Sequence, residues 1–226
     1  MKYENLKAKN ITDNITVYNC DCMELLKQTP DNYYSLGVVD PPYGLGDKLT
    51  KGGTWSVKWQ TKGADWDVTP QKEYFQEVFR VCKNIIIFGA NYFIDKIPAD
   101  KLISRGWIAW HKPYMDGMHS MSNVELAYTS FDLNAKKVSF NKDKGNEERI
   151  HVCQKPVKLY EWILRNYANK GDLILDTHLG SGSIAIAAHN LGFNLTATEI
   201  DPEYYNNAIK RIQLHTSQIS ANLSYE

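Results

Sequence analysis

The sequence predicts an α/β chain: a doubly wound, mainly parallel sheet with helices on both faces. Three observations carry this expectation. Short aliphatic or β-branched runs alternate with amphipathic helical periods. Three of those runs lead into an acid, at Asp40, Asp176 and Glu199. Glycines follow the elements at Gly89, Gly171 and Gly192. With 226 residues, 43% of them hydrophobic, a single domain over 1–226 with a sizeable core is expected and wholesale disorder is excluded.

Residues 1–14 are polar and read as an N-terminal arm. Residues 15–18 alternate and form a short strand; 23–28 form a turn or two of helix closed by Thr29-Pro30. Residues 35–39 read as a buried strand running into Asp40-Pro41-Pro42-Tyr43. Residues 44–68 are rich in Gly, Lys and Trp without a sustained period, so a long loop leaves the strand end. Thr69-Pro70 resembles an N-cap with Pro in the first turn, and Phe75, Val78, Phe79 and Cys82 share one face of the next helix. Residues 84–88, 107–110 and 124–129 read as strands, and 132–150 as a polar, charged segment. A helix from near Pro156 places Val157, Tyr160, Ile163, Leu164 and Tyr167 on one face, and Lys170-Gly171 closes it. A strand over 173–175 delivers Asp176, and Gly180–Ser183 opens a small-residue helix ended by Gly192. Residues 195–198 lead to Glu199, and Asp201-Pro202 caps a last helix to about His215.

Lysine plus arginine and aspartate plus glutamate each number 26, so the chain has no surplus charge. A nucleic-acid partner would need the basic residues gathered on one face. Cys20 and Cys22 lie one residue apart and no Cys-x-x-Cys occurs, so reduced thiols rather than a zinc site are expected, and no metal is implied. The first ten residues lack the apolar core of a signal peptide. No run approaches the ~20 apolar residues of a membrane span. The expected location is the cytoplasm, with no membrane partner.

Two stretches carry chemistry. In the first, a buried strand ends in Asp176, and Gly180-Ser181-Gly182-Ser183 turns into a helix. Glu199 comes 23 positions after Asp176 at the end of the next strand, where a carboxylate can accept both hydroxyls of a ribose. A plain helix-start turn would explain the glycines alone; the strand before and the acid after point to a nucleoside. No Gly-Lys-Ser/Thr element is present there, which argues against an ATP phosphate loop.

The second stretch is Asp40-Pro41-Pro42-Tyr43. Two prolines fix φ and remove two backbone donors, leaving carbonyl acceptors beside the Asp40 carboxylate. Such a site suits an exocyclic amine with two N–H donors. Acceptors on both hydrogens favour a pyramidal nitrogen and free its lone pair for an electrophilic methyl carbon. Tyr43 offers a flat face, and stacking of this kind is worth roughly 1–3 kcal/mol per base. A rigid proline turn with a packed tyrosine is the plainer alternative.

With these blocks in order, the chain resembles the β-type DNA amino-methyltransferases of permuted motif order, the adenine-N6-specific DPPY family, over about residues 15–215. Asn19-Cys20-Asp21-Cys22, Asp40–Tyr43, Phe88–Asn91, Trp110–Pro113, His151–Pro156, Asp176–Ser183 and Glu199–Asp201 carry the resemblance. It implies a Rossmann-like methyltransferase sheet, S-adenosylmethionine as cofactor and double-stranded DNA as substrate. It places Asp40, Pro41, Pro42 and Tyr43 at the reacting amine and Asp21 against the cofactor adenine. Lys155 would lie near the methionine carboxylate; Asp176, His178, Gly180, Ser181, Gly182, Ser183 and Glu199 would hold the rest. The family's usual Pro-Phe is Thr177-His178 here, and its Gly before Asp21 is Cys20. Asp rather than Ser at position 40 favours adenine over cytosine N4. An RNA target, or a degenerate module that binds without catalysis, is also open on these residues.

Lys48, Lys51, Lys58 and Lys62 interleave with Trp55 and Trp59 in the long loop, a composition suited to phosphate contact and base extrusion. A solvated loop has the same composition. The segment 132–150 is the short candidate recognition region; its brevity is compatible with recognition shared by a homodimer. Met115, Met118, His119 and Met121 form a loop that either packs or covers the extruded base.

Overall fold

A computed structural model of the chain describes residues 3–46, 67–117, 122–141, 150, 151 and 153–223, the last six as backbone. The strands are β1 Ala8–Thr12, β2 Ile15–Asn19, β3 Tyr34–Val39, β4 Cys82–Phe88, β5 Trp107–His111, β6 Val124–Thr129, β7 Lys136–Ser139, β8 Leu173–Asp176 and β9 Asn194–Glu199. The α-helices are α1 Cys22–Gln28, α2 Lys72–Val81, α3 Val157–Tyr167, α4 Ser183–Leu191 and α5 Pro202–Leu223. One sheet runs β1-β2-β9-β8-β3-β4-β6-β5-β7.

Its centre, β2 through β4, is parallel. Its flanks are mixed: β1 is antiparallel to β2, β6 is antiparallel to β4 and β5, and β7 is parallel to β5. A parallel neighbour needs a long crossover, usually a helix. The described connections from β4 to β6 hold short 3-10 turns in place of an α-helix, so β6 returns antiparallel.

Side chains alternate between the two faces of the central strands, and both faces are covered. Leu36, Val38, Ile86 and Phe88 pack with residues of α3, α4 and α5. Val39, Ile85, Ile87 and Leu175 pack with α1 and α2. Burial on both faces is why these strands read as continuous apolar runs.

Three expectations change. The arm contains β1, which pairs with β2 and covers an edge that would otherwise offer unpaired backbone groups. Tyr3 in that arm is buried, its hydroxyl 2.6 Å from that of Tyr34. Helix α2 starts at Lys72 with Gln71 as N-cap and no side-chain cap bond. Thr69 is not the cap: its hydroxyl oxygen accepts from the Lys96 ammonium instead. Part of the polar segment 132–150 is β7, an edge strand with Val138 as its buried residue. Three boundaries also move: Cys82 opens β4 instead of sharing the face of α2, α3 ends at Tyr167 with Ala168 as its C-cap ahead of Lys170-Gly171, and α5 runs past His215 to Leu223. At two others the boundary chemistry matches the sequence. Asp201 Oδ1 accepts from Glu203 N at 2.7 Å and Tyr204 N at 2.9 Å. Gly192 ends α4 with φ +71°.

The carboxyl ends of β9, β8 and β3 are neighbours in the sheet and carry Glu199, Asp176 and, one residue on, Asp40. The chain leaves β8 toward β9 and β3 toward β4. The crevice therefore opens at a switch point, where doubly wound sheets bind ligands.

Candidate active site

One cavity at this switch point is lined by Asp40, Pro41, Pro42 and Tyr43 on one side and by His178, Gly180, Ser181, Ser183 and Glu199 on the other. The proline turn and the glycine loop, distant in the chain, thus share one space. Lys155, Tyr160, His151, Cys153, Asp67 and Tyr204 also line it.

At the proline turn, Asp40 is half-buried and sits in a cluster of buried charges. The Tyr43 hydroxyl oxygen lies 2.7 Å from Asp40 Oδ1 and 2.8 Å from Glu125 Oε1, and its single proton serves one carboxylate at a time. The Lys155 ammonium pairs with Asp40 Oδ2 and lies 2.8 Å from Glu125 Oε1. Lys112 Nζ stands 3.7 Å from Glu125 Oε2. Burial pushes the Asp40 carboxyl up, and Lys155 opposes this only in part. Glu125, held by Lys155 and Lys112, stays below the usual glutamate value despite its burial. The Tyr43 ring stacks on Tyr92 with centroids 5.1 Å apart and planes 16° apart. One face of the expected stacking platform is therefore already backed by an aromatic ring. Gly89 makes this approach possible: its φ is +65°, and a Cβ there would lie 2.3 Å from the Tyr43 ring.

Asp67, 5% exposed, fastens the turn after the tetrapeptide. It accepts from Gly44 N at 3.0 Å and from Gly46 N at 2.8 Å. The two ends of the long loop are thereby tied together beside the cavity.

At the glycine loop, Glu199 Oε2 accepts from Gly180 N at 2.8 Å and Oε1 from Asp201 N at 3.0 Å. Each oxygen keeps a further lone pair for a ligand hydroxyl. Gly182 has φ +76°, and a Cβ on it would meet Ile212 of α5 at 2.9 Å, so the loop lies flat against that helix. Arg211 of α5 is buried and donates to the Ser181 carbonyl at 2.9 Å and to Ser183 Oγ at 3.0 Å. Asp176 is buried beneath the loop and accepts from His178 N at 3.0 Å; burial raises its carboxyl to about 8. Burial lowers the His178 imidazole to about 4, so its ring is neutral near pH 7. Thr177 Oγ1 links His178 Nδ1, 2.9 Å away, to the Tyr74 hydroxyl, 2.7 Å away.

Of the residues singled out in the sequence, Asp40, Pro41, Pro42, Tyr43, Lys155, His178, Gly180, Ser181, Ser183 and Glu199 line the cavity. Asp176 and Gly182 are not among its lining residues. Asp21 is exposed and caps α1, accepting from Met23 N at 2.9 Å, although its charge reaches His178. Lys155 is in place, but its ammonium is engaged by Asp40 and Glu125. Lys48, Lys51, Trp55, Lys58, Trp59 and Lys62 fall outside the described residues, as do Met118, His119 and Met121; Met115 is buried. Glu125, Asp67, Tyr92 and Arg211 are not legible as site residues in the sequence. For Glu125 the one local signal is a glutamate inside the apolar run of β6.

The Rossmann-like sheet with this cavity at its switch point is a fold that the chain shares with S-adenosylmethionine-dependent methyltransferases. Residues 129–210 match the family model described as DNA methylase, of the N6/N4 type. The chain is 25% identical over 254 residues to the Type II methyltransferase M1.MboII of Moraxella bovis, covering 85% of this chain and 94% of the relative. It is also 25% identical over 234 residues to the Type II methyltransferase M.HpaI of Haemophilus parainfluenzae, covering 85% and 72%. Among solved structures, the complex of M1.HpyAVI with S-adenosylmethionine superposes with a TM-score of 0.59 at 18% identity, covering 88% of this chain and 98% of that one. The cytosine-N4-specific PvuII DNA methyltransferase superposes at 0.64 and 16%, covering 95% and 96%. These likenesses support a DNA methyltransferase of the N6/N4 type whose methyl donor is S-adenosylmethionine.

Proposed function

We propose that this chain is a DNA adenine N6-methyltransferase acting on an adenine turned out of the helix. The observation that carries the reading is the shared cavity: an acceptor-rich proline turn and a nucleoside-type glycine loop face one space. The residues present fit the cofactor. Glu199 keeps acceptor capacity for ribose hydroxyls, and the loop Gly180, Ser181, Gly182 and Ser183 is held open by α5. The neutral His178 ring gives a flat, uncharged cover where the family has Phe, with Asp176 fixing its backbone. Asp21 and Lys155 complete the set assigned by resemblance.

When bound, S-adenosylmethionine supplies an electrophilic methyl group on a sulfonium. The protein's part is to present the amine. Asp40 and the Pro41 carbonyl accept its two hydrogens, and Tyr43 supports its ring. With the cofactor bound, Asp40 would take up the proton that the amine nitrogen gives up as it is methylated, and the Pro41 carbonyl would keep the second N–H in place. Extruding the base costs a few kcal/mol. Lys48, Lys51, Lys58 and Lys62 with Trp55 and Trp59 are assigned to double-stranded DNA, and a homodimer is the assembly in which the short recognition segment is shared.

Cytosine N4 is the second reading, favoured by the likeness to a cytosine-N4-specific enzyme; Asp at position 40 is what favours adenine. The test is methyl transfer from labelled cofactor to unmodified DNA. Asp40→Ala is expected to lower transfer by about 100-fold or more, a loss typical of removing one transition-state partner, while calorimetric cofactor affinity stays within a few-fold. Near-wild-type turnover in that variant contradicts the assignment of Asp40.

A further inference from the structure

The Asp40 carboxylate that the reaction needs as an acceptor is already claimed. The Tyr43 hydroxyl and the Lys155 ammonium both reach it, and Lys155 is 3% exposed on its side chain. If Asp40 turns to an incoming amine, a buried cation and a half-buried phenol lose a partner, which is costly where the ammonium cannot reach water instead. Glu125 removes that cost. Its Oε1 lies 2.8 Å from both Lys155 Nζ and the Tyr43 oxygen, close enough to hold both donors while Asp40 is released. Its other oxygen faces Lys112, so the two carboxylates and two lysines balance in charge.

We propose that Glu125 is a positioning residue that takes over Tyr43 and Lys155 when Asp40 engages the target amine, keeping Asp40 available as an acceptor. This rests on the amine-methylation reading above. Glu125 touches neither amine nor cofactor in this scheme; it acts through Asp40. The groups facing Asp40 are Tyr43 from its own turn, Lys155 ahead of α3, Tyr160 of α3, Glu125 of β6 and Asp176 of β8. Lys112, beyond β5, acts through Glu125. Glu125 adds negative charge beside Asp40 and so raises its proton affinity.

Glu125→Gln keeps the shape and removes the charge. It is expected to lower kcat by about 100-fold, the scale of a small misplacement of a reacting group, with cofactor affinity within a few-fold. The acid limb of the kcat profile, set by protonation of Asp40, is expected to move to lower pH, because a neighbouring negative charge has gone. A side chain that only filled space would not move that limb. Glu125→Asp keeps the charge but shortens the reach, so its limb stays near wild type while kcat still falls by about 10-fold or more. Either variant with wild-type kcat overturns the proposal, and Glu125→Asp decides it if the Gln variant does not fold. The Asp40 carboxyl titration, read by carbon NMR in folded wild-type and variant protein, gives the same answer without turnover. An unmoved Asp40 titration in Glu125→Gln overturns the proposal. If the wild-type chain transfers no methyl group to any DNA, the amine-methylation reading fails by itself, and the NMR titration still decides the coupling to Glu125.

Discussion

Asp176 and His178 lie two positions apart and are pushed in opposite directions by the same cause, burial that penalises charge. The effect on stability depends on where each binds its proton. Asp176 holds a proton in the folded chain up to about 8, whereas an unfolded aspartate releases it near 3.9. Between these values the folded state binds more protons, so this residue's contribution falls as pH rises and levels off above about 8. For His178 the unfolded state binds more protons between about 4 and the ordinary histidine value of 6.5, so its contribution rises with pH there. The two slopes offset one another up to about pH 6.5, and Asp176 alone leaves a fall from there to about 8. Asp176→Asn keeps the acceptor for His178 N and loses the titration. Urea denaturation at pH 5, 6.5 and 8 is therefore expected to show the variant gaining on wild type by about 2 kcal/mol between pH 6.5 and 8, at about 1.4 kcal/mol per unit. An unchanged difference across that interval would place the ionised form of Asp176 in the native protein.

At the scale of elements, the site is made by the carboxyl ends of β9, β8, β3 and β4 together with strand β6. The short 3-10 turn Ala90–Tyr92 after β4 lays Tyr92 on Tyr43, and this requires Gly89. Gly89→Ala meets a double penalty, a left-handed φ and a 2.3 Å approach to an aromatic ring. A cost of about 2–4 kcal/mol is expected by denaturant titration, from strain of about 1–3 kcal/mol and overpacking of similar size. Gly171→Ala is the comparison: its φ is +92° with nothing within 4 Å of a Cβ, so the backbone penalty acts alone and the loss is smaller. Equal losses at the two positions would show that the Tyr43 contact is slack. Elements also mark the limit of what the sequence displays. Asp40, Asp176 and Glu199 are legible because each ends its own apolar strand, a local pattern. Glu125 is not, because its meeting with Lys155 depends on β6 lying antiparallel between β4 and β5, a pairing set by contacts distant in the chain. Strand β1 is hidden for a related reason: a polar edge strand writes no apolar stripe.

At the scale of the molecule, a chain with no net charge is assigned a polyanionic partner. Its affinity must then come from local basic surface and from specific contacts to the target base, with phosphate contacts positioning rather than specifying. Among the described residues no helix is long and apolar enough to cross a membrane. The four cysteines, all described, are free thiols, with Cys82 buried and the other three partly so. The parallel centre and the mixed flanks divide the work: β9, β8 and β3 carry the acids of the crevice, while the antiparallel strand β6 brings in Glu125. The central claim is a methyl group delivered to the N6 amine of adenine through Asp40. The most direct measurement is digestion to nucleosides of unmodified DNA incubated with the wild-type chain and isotopically labelled S-adenosylmethionine. The label is expected in N6-methyldeoxyadenosine, and it is expected to disappear with Asp40→Ala. Label in N4-methyldeoxycytidine would contradict the base assignment, and DNA without label in any nucleoside would contradict DNA methylation altogether.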